Sequence, residues 1–228
     1  VFKENRLIKR TMKDEQFFKE RFNVSCETID KLRLYQQKIC IWQKKMNLVS
    51  KRSIQELWVR HFADCAQTHD LIQNPFFKPL KKKIKILDVG TGAGFPGVIL
   101  SLLGRDKNST DAITLLDSNL KKITFLRDVC SDLNLNVEIL HNRVEKVILS
   151  NYQIVTARAV ASLCNFFGFF NKQSIEKINF ILPKGKSWNQ ELNHLKKKWK
   201  FSNLVVKNNI DIDKSGGVQI LFKNVKRL

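Results

Sequence analysis

Apolar residues recur in two different rhythms along this chain, and the change of rhythm divides it. In Ser25–Met46 they fall at Ile29, Leu32, Tyr35, Ile39, Trp42 and Met46. Steps of three and four put them on one face of a helix. Ser53-Ile54-Gln55-Glu56 then has the spacing of a capping box. Behind it, Ile54, Leu57, Trp58, His61, Phe62 and Cys65 line one side of a second helix. The segment Gln73–Lys83, with Pro75, Pro79 and the run Lys81-Lys82-Lys83, interrupts the pattern and predicts a linker. The expected layout is an N-terminal helical extension over 1–72, a linker over 73–83 and a main domain over 84–228, packed as one unit.

In the main domain short apolar runs alternate with helical patterns. The candidate strands are Ile84–Val89, Ile113–Asp117, Val137–Leu140, Ile154–Ala157 and Ile178–Pro183. A helical pattern falls between most of them, as in Leu120, Ile123, Leu126, Cys130 and Leu133. Such alternation predicts a parallel sheet with helices on both faces. The end departs from it: Leu204–Val206 and Val218–Phe222 follow one another across Ser215–Gly217 with no helix between. They predict a closing hairpin-like pair whose last strand is antiparallel. The fold class is α/β, a Rossmann-like sheet of about seven strands. The cluster Phe166-Phe167-Gly168-Phe169-Phe170 predicts a helix buried against that sheet rather than a platform for stacking bases.

Charge and cysteines narrow the setting. The formal net charge is +20, from 41 Lys and Arg against 21 Asp and Glu. A polyanion such as nucleic acid is the first partner to consider, because Lys and Arg displace the counterions of phosphates. A compositional bias towards Lys and Asn is the alternative. The five cysteines are odd in number, scattered and free of Cys-x-x-Cys pairs, which predicts neither a disulfide framework nor a zinc site. With no apolar signal core and no run long enough to span a bilayer, a cytoplasmic protein without membrane partners is expected.

The chemistry concentrates in Asp88-Val89-Gly90-Thr91-Gly92-Ala93-Gly94-Phe95-Pro96-Gly97, directly after the first strand. Glycines between a strand and a helix let main chain approach a nucleotide-like ligand closely. Two further strand ends carry acceptors. Asp117 closes the second strand, where a carboxylate can hold both ribose hydroxyls. Val144-Glu145 follows the third, where a main-chain amide and a carboxylate can meet an adenine ring and its exocyclic amine. Gly92, Gly94 and Gly97 also satisfy G-x-G-x-x-G, so a dinucleotide competes for the site. Asp88 argues for S-adenosylmethionine, since it would repel a pyrophosphate and attract the methionine ammonium. Little chain is left for the substrate domain of a nicotinamide-dependent oxidoreductase. A basic RNA-binding protein without activity is a third reading.

These residues resemble the bacterial small-subunit ribosomal RNA guanine-N7 methyltransferase family (RsmG, or GidB). The likeness rests on Asn47-Leu48-Val49-Ser50, Val59-Arg60-His61 with Asp64, and Asp88 to Gly97. It continues through Leu115-Leu116-Asp117-Ser118, Asn142-Arg143-Val144-Glu145, Ala157-Arg158-Ala159-Val160-Ala161-Ser162 and Leu182-Pro183-Lys184-Gly185. It implies a class I methyltransferase sheet, S-adenosylmethionine as cofactor, and 16S rRNA or a precursor of the small ribosomal subunit as substrate. It also implies cofactor contacts at Gly90, Phe95, Val144, Glu145 and Arg158, beside Gly92, Gly94 and Asp117 from the strand-end reading. Two departures stand out: Cys65 where the family usually has Ser, and a longer, more polar loop over Gly104–Ala112. Guanine N7 carries a lone pair on an exposed edge. Attack by it loses no proton, so no catalytic base is expected among the four histidines. Contacts to RNA are expected from Arg60, His61, Lys184 and the basic N-terminal helices. A monomer is expected.

Overall fold

The computed structural model describes residues 2–72, 74–77, 83–109, 111–207 and 217–228, and within the first helix it describes side chains from Met12 onward. The strands are β1 Lys85–Val89, β2 Ala112–Asp117, β3 Glu138–His141, β4 Ile154–Thr156, β5 Asn179–Lys184, β6 Trp199–Lys207 and β7 Val218–Arg227. They form one seven-stranded sheet in the order β3-β2-β1-β4-β5-β7-β6. The first five are parallel, and β7 runs antiparallel to both of its neighbours. The reversal of order between β1 and β4 opens a crevice at the carboxyl ends of these strands, where ligands of such sheets bind.

Each central strand buries both faces, as parallel strands covered by helices must. Ile86, Leu115, Ile154, Ile181 and Leu221 face one core; Leu87, Leu116, Val155, Phe180 and Ile220 face the other. The first core also takes in the N-terminal helices, through Phe18, Leu32, Tyr35, Trp58 and Phe62. The second is closed by Phe166, Phe167 and Phe170, so the phenylalanine cluster packs inside as its spacing predicts. These rings lie in and just after a short helix, α6 (Leu163–Gly168), which Ser162 caps.

The remaining helices are α1 Phe2–Phe22, α2 Cys26–Gln43, α3 Asp64–Ile72, α4 Gly97–Asp106, α5 Leu120–Asp132 and α7 Trp188–Leu195. Three departures from expectation have physical causes. Helix α1 falls within the expected helical extension, but no apolar face is assigned to it from sequence; charged neighbours mask the stripe in which Phe18 and Phe22 are buried, Phe18 against Trp58. The second helix does not start from a capping box. Ser53–Glu56 is a 3₁₀ turn, Trp58–Ala63 a π-helical turn, and α-helix begins only at Asp64. Ser53 Oγ bonds back to Ser50, Glu56 pairs with Arg60, and the Arg60 carbonyl accepts from a distant arginine. Strand β6 begins earlier than its apolar run, because a bulge between Lys200 and Ser202 hides the alternation. Ser215 and Gly216 of the expected turn lie outside the described residues. So do Gln73 and 78–82 of the expected linker, whose Phe77 is buried in the first core.

Candidate active site at the carboxyl edge of the sheet

Past β1 the chain turns through Gly90, Gly92 and Gly94 with φ of +63°, +60° and +96°. These are backbone conformations that side chains resist. The turn is also crowded on its inner side. A Cβ on Gly94 would stand 2.5 Å from Val98 Cγ2, and one on Gly97 would stand 2.2 Å from Leu115 Cδ2. Gly92 differs: the nearest atoms to such a Cβ, Gly90 O and Lys122 Nζ, would be 3.8 Å away, an ordinary contact distance, so its positive φ rather than crowding favours glycine there. The turn is therefore tightest where it packs on the core.

Asp88 lies behind it and is fully buried. Its Oδ2 accepts from the Thr91 hydroxyl and from Gly97 N at 2.8 Å, while Oδ1 has no partner. Burial pushes its carboxyl up to about 7, against the pull of those two donors. A buried carboxylate with one unsatisfied oxygen fits a ligand bearing a donor or positive charge, and disfavours a pyrophosphate.

Asp117 ends β2 opposite the turn. Its Oδ2 accepts from Gly92 N at 3.0 Å and its Oδ1 from Asn119 N at 2.9 Å. It is not the cap of α5; Asn119 takes that place with its side chain. Strand β3 ends level with it, Asp117 pairing with His141. A 3₁₀ turn over Val144–Lys146 follows, with Val144 buried and Glu145 exposed. Gly90, Gly92, Gly94, Asp117, Val144 and Glu145 thus lie along one edge.

Arg158, past the end of β4, crosses to the N-terminal helices. Its Nε meets Asp64 Oδ2 at 3.1 Å, its Nη2 donates to the Arg60 carbonyl at 2.8 Å and its Nη1 to His61 Nδ1 at 2.7 Å. Arginine has no acceptor, so Nδ1 must accept and the imidazole proton sits on Nε2, which is buried without a partner. Burial, with help from Arg158 and Arg60, lowers the His61 pKa to about 3, so the ring is neutral. It stacks on Phe95 at 4.9 Å, and the guanidinium lies 5.8 Å from the same ring. Phe95 is itself buried. The loop after Arg158 closes over the glycine turn: a Cβ on Gly90 would stand 2.7 Å from Val160 Cγ2.

Of the three residues expected to meet RNA, His61 is committed to Arg158 and Phe95. Lys184 donates to the Ala161 carbonyl at 2.7 Å and to Glu191 at 2.9 Å. Arg60 pairs with Glu56 and keeps a third of its side chain exposed. From sequence, Tyr35 counts only as an apolar helix position, and Asp64 stands only with the Val59-Arg60-His61 motif, with no role of its own. Tyr35 donates to the Ala93 carbonyl and so fastens α2 to the glycine turn. Asp64 anchors Arg158; its place one turn after His61 was the available signal.

The profile of the family described as rRNA small subunit methyltransferase G (GidB) matches residues 28–215. The chain belongs to that family. Among similar relatives of the same description, one from Ruegeria sp. (strain TM1040) is 32% identical over 90% of this chain and 95% of its own. One from Rickettsia bellii (strain OSU 85-389) is 36% identical over 80% and 88%. Solved structures add the fold. A mutant of MtNAS in complex with S-adenosylmethionine superposes with a TM-score of 0.57 at 10% identity, over 85% of this chain and 74% of that one. MtNAS with MTA and tNA gives 0.55 at 11%, over 87% and 70%. The methyltransferase G family is the one that the glycine turn and the Arg158 segment resemble.

Proposed function

We propose that the chain transfers the methyl group of S-adenosylmethionine to N7 of a guanine in 16S rRNA, as naked RNA or within a small-subunit precursor. The observation that carries this reading is the family match over residues 28–215. The site fits the cofactor. Gly92, where a Cβ would meet nothing closer than 3.8 Å, leaves room for close backbone contacts, and the unsatisfied Asp88 oxygen suits the methionine ammonium, directly or through water. Asp117 would exchange the Gly92 amide for the ribose hydroxyls. Val144 and Glu145 would face the adenine, with Gly90, Gly94, Phe95 and Arg158 shaping the remaining wall.

When bound, the cofactor supplies an electrophilic methyl group on sulfur. The chain's own task is to align the guanine with it and to exclude water. N7 attacks with its lone pair and gives up no proton, so no side chain need act as a base. A neutral His61 held by Arg158 agrees with a packing and positioning role. We assign RNA contact to Arg60, with His61 and Lys184 fixing the walls that the RNA meets. No helix among the described residues is long and apolar enough to cross a membrane. We place the protein, as a monomer, in the cytoplasm with its substrate.

The test is methyl transfer from radiolabelled cofactor to undermodified small subunits and to naked 16S rRNA, followed by nucleoside analysis. 7-Methylguanosine is expected; a different methylated nucleoside, or NAD binding without S-adenosylmethionine binding, would refute the assignment. Gly92→Asp puts a side chain and a charge in the turn, so calorimetry should show cofactor binding abolished.

A further inference from the structure

We propose that a second RNA-binding surface lies at the far end of the sheet, opposite the glycine turn, and holds the phosphate backbone of the substrate. It consists of Lys196, Lys197, Lys198, Lys200, Lys226 and Arg227, all exposed. The proposal rests on ribosomal RNA being the substrate, and it adds a point of attachment that the transfer site does not supply.

Topology brings these cations together. Val218 at the start of β7 pairs with Lys184 at the crevice edge, and Arg227 at the other end pairs with Trp199. At about 3.4 Å per residue, the ten residues of β7 carry the chain about 30 Å away from that edge. There Lys200 stands directly opposite Lys226 in register. The turn after α7 adds Lys196, Lys197 and Lys198, and the Leu228 amide donates to the Lys198 carbonyl at 3.0 Å. Lys226 makes an ion pair, with Glu176.

Two simpler explanations fall short. Lysines on an edge strand discourage edge-to-edge pairing, and β6 is such a strand, but this accounts for Lys200 alone. The other five lie in a turn or on the inner strand β7. A general lysine bias would scatter cations, whereas here six gather at one end of the sheet; some cations elsewhere sit among carboxylates, Lys38 with Asp128 and Asp132 and Arg33 with Glu15 and Asp30. Like charges directly across a sheet work against folding. A polyanion bound there would relieve that repulsion, and an RNA backbone supplies evenly spaced phosphates that need no sequence-specific reader. An RNA that reaches both this end and the transfer site must extend along the molecule. A lone flipped nucleotide cannot.

The test compares the full chain with a Lys197→Gln, Lys198→Gln, Lys200→Gln, Arg227→Gln variant. Binding to a 16S rRNA fragment is followed by fluorescence anisotropy across a range of KCl concentrations. The expected result is about tenfold weaker binding at moderate salt and a logarithmic salt slope shallower by about three, at roughly 0.7–0.9 for each phosphate that the variant leaves unneutralised. In turnover on small subunits, KM should rise while kcat holds. Calorimetric S-adenosylmethionine affinity, equal in both proteins, reports that the variant folds. RNA affinity and salt slope unchanged in the folded variant would overturn the proposal, including the case in which the variant differs only in weaker binding to anionic vesicles. The slope needs no turnover, so absence of 7-methylguanosine from the parent would count against the function and leave this measurement standing.

Discussion

Asp88 gives the most quantitative expectation. Its carboxyl titrates near 7 in the folded protein, against 3.8 for an ordinary aspartate, because burial penalises the charged form. A raised folded-state pKa contributes stability that is full below the unfolded value and is lost as pH rises through the folded one. A shift of about three units corresponds to roughly 4 kcal/mol in all, of which roughly 2–3 kcal/mol falls between pH 5 and pH 8. Asp88→Asn removes the titration and keeps an oxygen for Thr91 and Gly97. Urea unfolding of the ligand-free protein at pH 5 and pH 8 should therefore show the parent losing that amount relative to the variant. Cofactor binding should follow the opposite trend: if the ammonium meets the ionised carboxylate, affinity rises from pH 6 to pH 8 in the parent and stays flat and weak in Asp88→Asn. Parallel unfolding curves, or the same pH dependence of binding in both, would refute the placement of a titrating carboxylate behind the glycine turn.

Two further outcomes follow from the same contacts. Gly97→Ala places a methyl 2.2 Å from Leu115 Cδ2 and 2.7 Å from Asp88 Oδ2, so it should cost at least about 2 kcal/mol in urea unfolding. Unchanged stability would contradict that close packing. Asp64→Asn leaves the Arg158 guanidinium without its carboxylate, about four-fifths buried on both sides. Unfolding free energy should fall by about 2–3 kcal/mol and cofactor affinity severalfold; if neither moves, Asp64 does not position Arg158.

What the sequence disclosed was local. The strands were legible because their apolar runs are short and bounded, and the glycine turn because three positive φ angles leave few residue choices. The position of Asp117 at the sheet edge was legible from its place at a strand end. Its bond to the Gly92 amide was not, because that depends on how β1 and β2 align. The destination of Arg158 was hidden for a stronger reason: His61 and Arg158 are 97 positions apart, and neither is unusual where it stands. Tyr35 reads as one more apolar position on α2, and only the folded chain shows its hydroxyl on the glycine turn. The π-helical turn was masked by a pattern that suits α-helix equally well.

The Tyr35 contact bears on how far this protein can be divided. A hydroxyl from α2 holds the carbonyl of Ala93, and residues 60–64 hold Arg158 from the same side. The helices before the sheet therefore supply the back wall of the crevice rather than a detachable accessory. A fragment beginning at residue 84 would keep every glycine of the turn and lose what keeps the turn in shape. Exchanging the N-terminal helices with those of a relative would therefore disturb the glycine turn and the Arg158 contacts as much as any interface those helices present.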